Sequence, residues 1–140
     1  MDKHTILLVE DDELDIISVE RSLKKLETDY ELRTAYNGIE ALTALKGGLK
    51  PDVILLDLNM PKMNGIEFLR MLRADQTLKK LKVFVMTTSS ESSDRDLAEE
   101  LGISGYIIKP LNYTDNSKRP DSMDAFVQFH LRKILVNDGT

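Results

Sequence analysis

The chain has 140 residues, 41% hydrophobic and 31% charged, which is the composition of a globular domain with a single core, and residues 1–140 are expected to form one unit without a further output domain. No apolar run approaches the roughly 18 residues that cross a bilayer, and the run at residues 6–9 is too short for a signal peptide and lacks a small-residue cleavage site. A net charge of −5 argues against nucleic acid as the main ligand, and the absence of cysteine excludes a disulfide frame or thiolate metal site, which fits a cytoplasmic protein.

Residues 6–9, Ile-Leu-Leu-Val, read as a strand buried on both faces, and they end in Glu10, Asp11 and Asp12. Residues 13–26 carry Leu14, Ile16, Ile17, Val19, Leu23 and Leu26 at helical spacing, with Asp11 or Asp12 placed to cap the amino end. Residues 30–36 alternate enough for an outer strand. Asn37-Gly38 then turns into a helix that presents Ile39, Leu42 and Leu45 and ends at Gly47-Gly48.

Residues 53–56, Val-Ile-Leu-Leu, are a second unalternating apolar run, and it stops on the carboxylate of Asp57. The residues after it cannot continue a central strand, because Pro61 has no donor and Asn64-Gly65 favours a turn. Ile66, Leu69, Met71 and Leu72 mark a third helix ending before Asp75. Residues 83–86 form a fourth strand running into Thr87-Thr88-Ser89-Ser90. Residues 94–101 make a short, strongly charged helix stopped by Gly102. Residues 105–108 are a fifth strand, followed by Lys109-Pro110, and Met123, Phe126, Val127, Leu131 and Ile134 form the stripe of a last helix. This alternation predicts an α/β fold, a doubly wound five-stranded parallel sheet with helices on both faces. The polar stretch 112–122 is longer than the usual connection in such a fold.

The strands deliver polar groups to one edge: Glu10 and Asp11 from the first, Asp57 from the third, Thr87 from the fourth and Lys109 from the fifth. In open α/β sheets the carboxyl edge is where ligands bind. Clustered carboxylates repel one another and call for a cation; oxygen ligands without His or Cys favour Mg²⁺, which takes one or two carboxylates plus a phosphate oxygen. With one lysine and one hydroxyl added, the edge suits a phosphoryl group. No cysteine is available, and His4 and His130 lie far from this edge in the chain pattern, so Asp57 is left as a carboxylate nucleophile giving an acyl phosphate. Asn59, two residues on, cannot carry protons, and no general base for fast hydrolysis stands out. That is the chemistry of a switch.

The motifs Leu-Leu-Val-Glu-Asp-Asp, Leu-Leu-Asp-Leu-Asn-Met-Pro-Lys-Met-Asn-Gly, Val-Met-Thr-Thr and Gly-Tyr-Ile-Ile-Lys-Pro, in this order and spacing, resemble those of the receiver domains of two-component response regulators, from residue 6 to about 136. The resemblance implies the flavodoxin-like, CheY-like version of the fold. It also implies Mg²⁺-dependent acceptance of a phosphoryl group by Asp57 from a sensor histidine kinase or histidine phosphotransfer protein. By the same match Asp11, Asp57 and the backbone carbonyl of Asn59 hold the metal, with Glu10 acting through water. Thr87, Lys109 and the backbone of Thr88 contact the phosphoryl oxygens, and Tyr106 is the aromatic whose rotamer follows Thr87. Lys109-Pro110 matches the family's cis peptide. Such a protein is a phosphoacceptor switch that promotes its own phosphorylation and slow dephosphorylation, and it signals by partner binding, phosphorelay or homodimerisation on phosphorylation.

Thr88 stands where a smaller Ala or Gly is frequent in the family and is expected to narrow access to Asp57. Asn59 and Ser89 occupy the positions that tune dephosphorylation; neither is charged, and an intermediate lifetime is expected. Residues 72–89 resemble those of stand-alone receivers serving phytochrome-like sensor kinases. Plainer roles stand beside these. Asp12 is best read as a helix cap, Tyr106 as a packing aromatic would need no switch, and His130 reads as structural. The charged helix at 94–101 reads as a solvated face, although a weakly anchored helix is also a good moving part. Lys24-Lys25 and Lys79-Lys80 read as solvated pairs. Other classes are a haloacid dehalogenase-type hydrolase, which wants a second acid where this chain has Asn59, a flavin-binding fold, for which no phosphate loop follows the first strand, and a receiver used only for binding.

Overall fold

The computed structural model describes residues 4–26, 29–58, 60, 63–87, 92–109, 123, 126, 127, 131 and 133. In chain order they form β1 (His4–Val9), α1 (Glu13–Leu23), β2 (Tyr30–Ala35), α2 (Gly38–Lys46), β3 (Val53–Asp57), α3 (Gly65–Ala74), β4 (Val83–Thr87), α4 (Ser92–Glu100) and β5 (Gly105–Ile108). The strands pair in parallel in the order β2-β1-β3-β4-β5. The sheet order turns back at β1, which lies between β2 and β3, and the crevice beside that switch point is where a ligand site is expected.

Successive residues of a strand face opposite sides, and here both sides are buried. Leu7, Val9, Ile54, Leu56, Val83 and Val85 pack with Ala41, Leu42 and Leu45 of α2, Phe68, Leu69 and Leu72 of α3 and Ala98 of α4. Ile6, Leu8, Val53, Leu55, Phe84, Met86 and Ile107 pack on the other side with Val19 and Leu23 of α1 and with Met123, Phe126, Val127 and Leu131. Phe84 and Phe126 meet edge to face with ring centroids 4.7 Å apart. The apolar stripe expected for the last helix therefore reaches the core, while Ile134 and His130 lie outside the described residues, as do Glu27, Thr28, the whole 112–122 stretch and Pro110.

Local chemistry sets the helix ends. Asp12 caps α1, its carboxylate accepting from the N–H groups of Leu14 at 2.9 Å and Asp15 at 3.1 Å. Asn37 caps α2 through Glu40 N–H, and Asn64 and Glu67 form a reciprocal capping box at α3. Gly48 and Gly102, at φ 112° and 79°, turn the chain after α2 and α4 through a region other residues avoid.

Several expected bounds and faces shift. α1 stops at Leu23, although Leu26 remains buried, and α4 begins at Ser92. Leu14, Ile17, Ile39 and Met71 were expected on buried stripes but are 76%, 55%, 51% and 44% exposed. At 3.6 residues per turn Ile17 points nearly opposite the row that α1 buries, which is Ser18, Val19, Ser22 and Leu23. Met71 is likewise turned away from Ile66, Leu69 and Leu72, and Phe68, absent from the expected stripe, is fully buried.

Candidate functional site

The strand alternation that builds the core also aims the polar groups. Ile6, Leu8, Val53, Leu55 and Ile107 all face α1. Continuing the period of two, Glu10, Asp57 and Lys109 leave the carboxyl ends of β1, β3 and β5 on that same side. Pairing extends to these ends: Glu10 N–H donates to Ala35 O at 3.0 Å, Leu58 N–H to Met86 O at 3.3 Å, and Lys109 N–H to Thr87 O at 2.8 Å. The functional side chains thus leave from fixed backbone.

Glu10 and Thr87 are completely buried and Asp57 is 2% exposed, whereas Asp11 faces solvent. Carboxylate oxygens of Glu10, Asp11 and Asp57 all lie within 4.8 Å of one another. Burial, and then the charge and hydrogen bond of Asp57, push the Glu10 carboxyl up to about 8, against the weaker pull of Lys109 and of Asp12 N–H, which donates to Glu10 Oε1 at 3.1 Å. An acid held that far from its ordinary range by burial and then by a like charge is a place where an added cation gains most. The donors are hard oxygens, which suits Mg²⁺ or a similar ion.

The Lys109 ammonium sits among three carboxylates, 2.7 Å from Asp15 Oδ2, 3.2 Å from Glu10 Oε2 and 3.4 Å from Asp57 Oδ1. Burial alone would lower its proton affinity, but the hydrogen bond to Asp15 and the charges of Asp57 and Glu10 raise it, so the lysine stays charged.

Beside the acids, α3 begins in close contact with the end of β3. A Cβ on Gly65 would lie 2.6 Å from Leu58 Cα and 2.7 Å from the Asp57 carbonyl oxygen, so only glycine allows the approach. Toward β5, Tyr106 faces the side of the sheet that α4 covers and is half-buried. Its hydroxyl accepts from Arg95 Nη2 and donates to Glu99 Oε1 at 3.2 Å, and the Arg95 guanidinium lies 4.2 Å from the ring centroid.

Of the residues expected at this edge, Glu10, Asp11, Asp57 and Lys109 come together, Thr87 ends β4 among them, and Tyr106 lies one strand over. His4 is at the opposite edge, 3.7 Å from Asp52. Asn59, Thr88 and Ser89 lie outside the described residues. The sequence reading missed Asp15, whose local signal was an acid in the first turn of the helix that follows Glu10 and Asp11. It also missed Arg95 and Glu99, which flank Tyr106 from positions one helical turn apart.

The response regulator receiver domain family matches residues 6–119. The chain belongs to that family. The receiver is 35% identical to response regulator Rcp1 of Synechocystis sp. over 127 residues, 86% of each chain. The Mn²⁺-bound crystal structure of Rcp1 superposes with a TM-score of 0.79 at 33% identity, covering 90% of this chain and 93% of that one. The phosphorylated cyanobacterial phytochrome response regulator RcpA gives a TM-score of 0.78 at 29% identity over 99% and 98%. The chemotaxis protein CheY-3 of Vibrio cholerae is 32% identical over 126 residues, 88% of this chain and 94% of its own length. These likenesses bear out the CheY-like fold, the receiver family and the resemblance to phytochrome-associated response regulators, and they set the hydrolase and flavin alternatives aside. Receivers bind a divalent metal at an acidic pocket, and in this chain Glu10, Asp11 and Asp57 form an acidic cluster whose oxygens could hold such an ion. Among the described residues no helix is long and apolar enough to cross a membrane.

Proposed function

We propose that this receiver is a cytoplasmic, Mg²⁺-dependent phosphoacceptor switch in which Asp57 takes a phosphoryl group from a phosphohistidine of a sensor histidine kinase or phosphotransfer protein. The observation that carries this is the placement of Asp57: buried, at the end of a core strand, in one carboxylate cluster with Glu10 and Asp11 and 3.4 Å from the Lys109 ammonium. A carboxylate oxygen of Asp57 forms the new P–O bond, the P–N bond to the donor imidazole breaks, and the imidazole nitrogen keeps the electron pair and takes up a proton.

Asp11, Asp57 and the backbone carbonyl of Asn59 would hold Mg²⁺, with Glu10 reaching it through water. When bound, the ion neutralises charge on the transferring phosphoryl group. Lys109 supplies a second positive charge from the β5 side, and the Thr87 hydroxyl and Thr88 backbone complete the contacts to the phosphoryl oxygens. Asn59 and Ser89, both uncharged, tune a slow self-dephosphorylation. As Thr87 turns toward the phosphoryl group, Tyr106 follows and changes the α4 and β5 surface. The whole of residues 1–140 is read as one receiver that passes its signal by partner binding, phosphorelay or homodimerisation, with a phytochrome-like sensor kinase as donor, in keeping with its likeness to RcpA.

Intact mass after incubation with a small acyl phosphate, with and without Mg²⁺, tests the chemistry. Wild type should gain one phosphoryl mass only with the metal, and Asp57→Asn should gain none. Labelling of Asp57→Asn equal to that of wild type would refute the assignment.

A further inference from the structure

We infer that Asp15 is a positioning residue for phosphoryl transfer, holding the Lys109 ammonium in place through an acceptor that neither the metal nor the phosphoryl group uses. This inference rests on the phosphoacceptor reading of Asp57.

Lysine offers three donors. In this chain Asp15, Glu10 and Asp57 stand around the ammonium, and the contact to Asp15 is the shortest, at 2.7 Å against 3.2 and 3.4 Å. Glu10 and Asp57 belong to the acidic cluster; Asp15 does not. Once a divalent cation occupies that cluster, it competes for the oxygens of Glu10 and Asp57 and repels the lysine. Asp15 is then the carboxylate of the three left to hold Lys109 and to offset that repulsion.

The fold makes the anchor firm. Asp15 lies in the first turn of α1, where an anion is favoured, and its own N–H is tied to the Asp12 cap at 3.1 Å. Lys109 N–H is tied to Thr87 O at 2.8 Å. Both side chains are mostly shielded, 21% and 17% exposed, so water screens the pair weakly. A tetrahedral ammonium that keeps one N–H on Asp15 can turn another toward an oxygen on Asp57 without leaving its place, and the entropy of fixing a long flexible side chain is met before the donor arrives.

The test combines donor-concentration series in Mg²⁺, read by intact mass, with ¹H–¹⁵N spectra of the lysine ammonium groups, for wild type, Asp15→Asn, Asp15→Glu, Lys109→Ala and the Asp15→Asn/Lys109→Ala double variant. Asp15→Asn should lower the maximal labelling rate about tenfold, the order of one lost charge-assisted hydrogen bond, with the half-saturating donor concentration unchanged. Asp15→Glu should restore most of that rate. In the Lys109→Ala background Asp15→Asn should cost nothing more. The slowly exchanging Lys109 ammonium signal of the metal-free wild type should disappear in Asp15→Asn while its thermal midpoint stays within the wild-type range. Wild-type labelling by Asp15→Asn, or an equal loss with and without Lys109, would overturn the inference and leave the phosphoacceptor reading standing. Wild type that takes no label, or Asp57→Asn that labels as well as wild type, would bring down that reading and this inference with it.

Discussion

The two ends of the parallel sheet each hold a shielded cation, and they use it in opposite ways. At the amino edge Arg73 donates to four backbone carbonyls, Leu101 O at 2.7 Å, Lys79 O at 2.8 Å, Leu81 O at 2.9 Å and Gly102 O at 2.9 Å. Its planar fork joins the end of α4 to the approach to β4. Burial lowers its proton affinity, but its neutral partners are matched to it and the arrangement is complete. At the carboxyl edge Lys109 faces three carboxylates, with Asp11 a fourth acid nearby, and the charge does not balance. Satisfied electrostatics hold the fold together; unbalanced electrostatics at the other edge are what a metal ion and a phosphoryl group can complete.

The contrast is sharpest at Arg73. Arg73→Ala strands several carbonyls at the amino edge and should cost about 2–3 kcal/mol, lowering the thermal midpoint by about 10 °C. Phosphorylation of the folded fraction at lower temperature should be unaffected, and a selective loss of labelling would break the division of labour between the edges. Next comes Gly65→Ala, whose added methyl meets Leu58 Cα and the Asp57 carbonyl. Overpacking of this kind costs about 1–3 kcal/mol, and because the displaced atoms belong to the acceptor strand, labelling should slow as well. Denaturant unfolding and labelling rate measured on one preparation would show both losses together.

The smallest effect has the opposite sign. Asp57→Asn removes one of the mutually repelling carboxylates, so without metal the variant should be as stable as wild type or up to about 1 kcal/mol more stable. Mg²⁺ should raise the wild-type thermal midpoint and leave that of Asp57→Asn nearly unchanged. A metal-free Asp57→Asn that unfolds far below wild type would mean that this edge, too, is built for stability.

Much of this architecture could be read along the chain. Strands covered on both faces must be apolar throughout, so residues 6–9, 53–56 and 83–86 stand out as runs, and a polar residue directly after each of them, as after the edge strand at 105–108, marks one sheet edge. Caps are local, and Asp12 was legible as one, whereas Asn37 and Asn64, read as turn residues, prove to cap α2 and α3. Helix faces were less legible. A short helix of mixed composition offers more apolar residues than its buried face needs, which is why Leu14, Ile17, Ile39 and Met71 were assigned inward although they face out.

The sequence by itself determined the order of elements, the parallel sheet and the identity of Glu10, Asp11, Asp57, Thr87 and Lys109 as residues of one edge, because each follows from period and neighbours within a few positions. Only the tertiary structure decided how Lys109 is shared. Its contact to Asp15 joins positions 94 apart on different elements, set by how α1 lies on the sheet. The Arg95, Glu99 and Tyr106 group and the four carbonyls around Arg73 were decided the same way, since the partners of a long charged side chain depend on packing angles between elements, and no local pattern of residues encodes those angles.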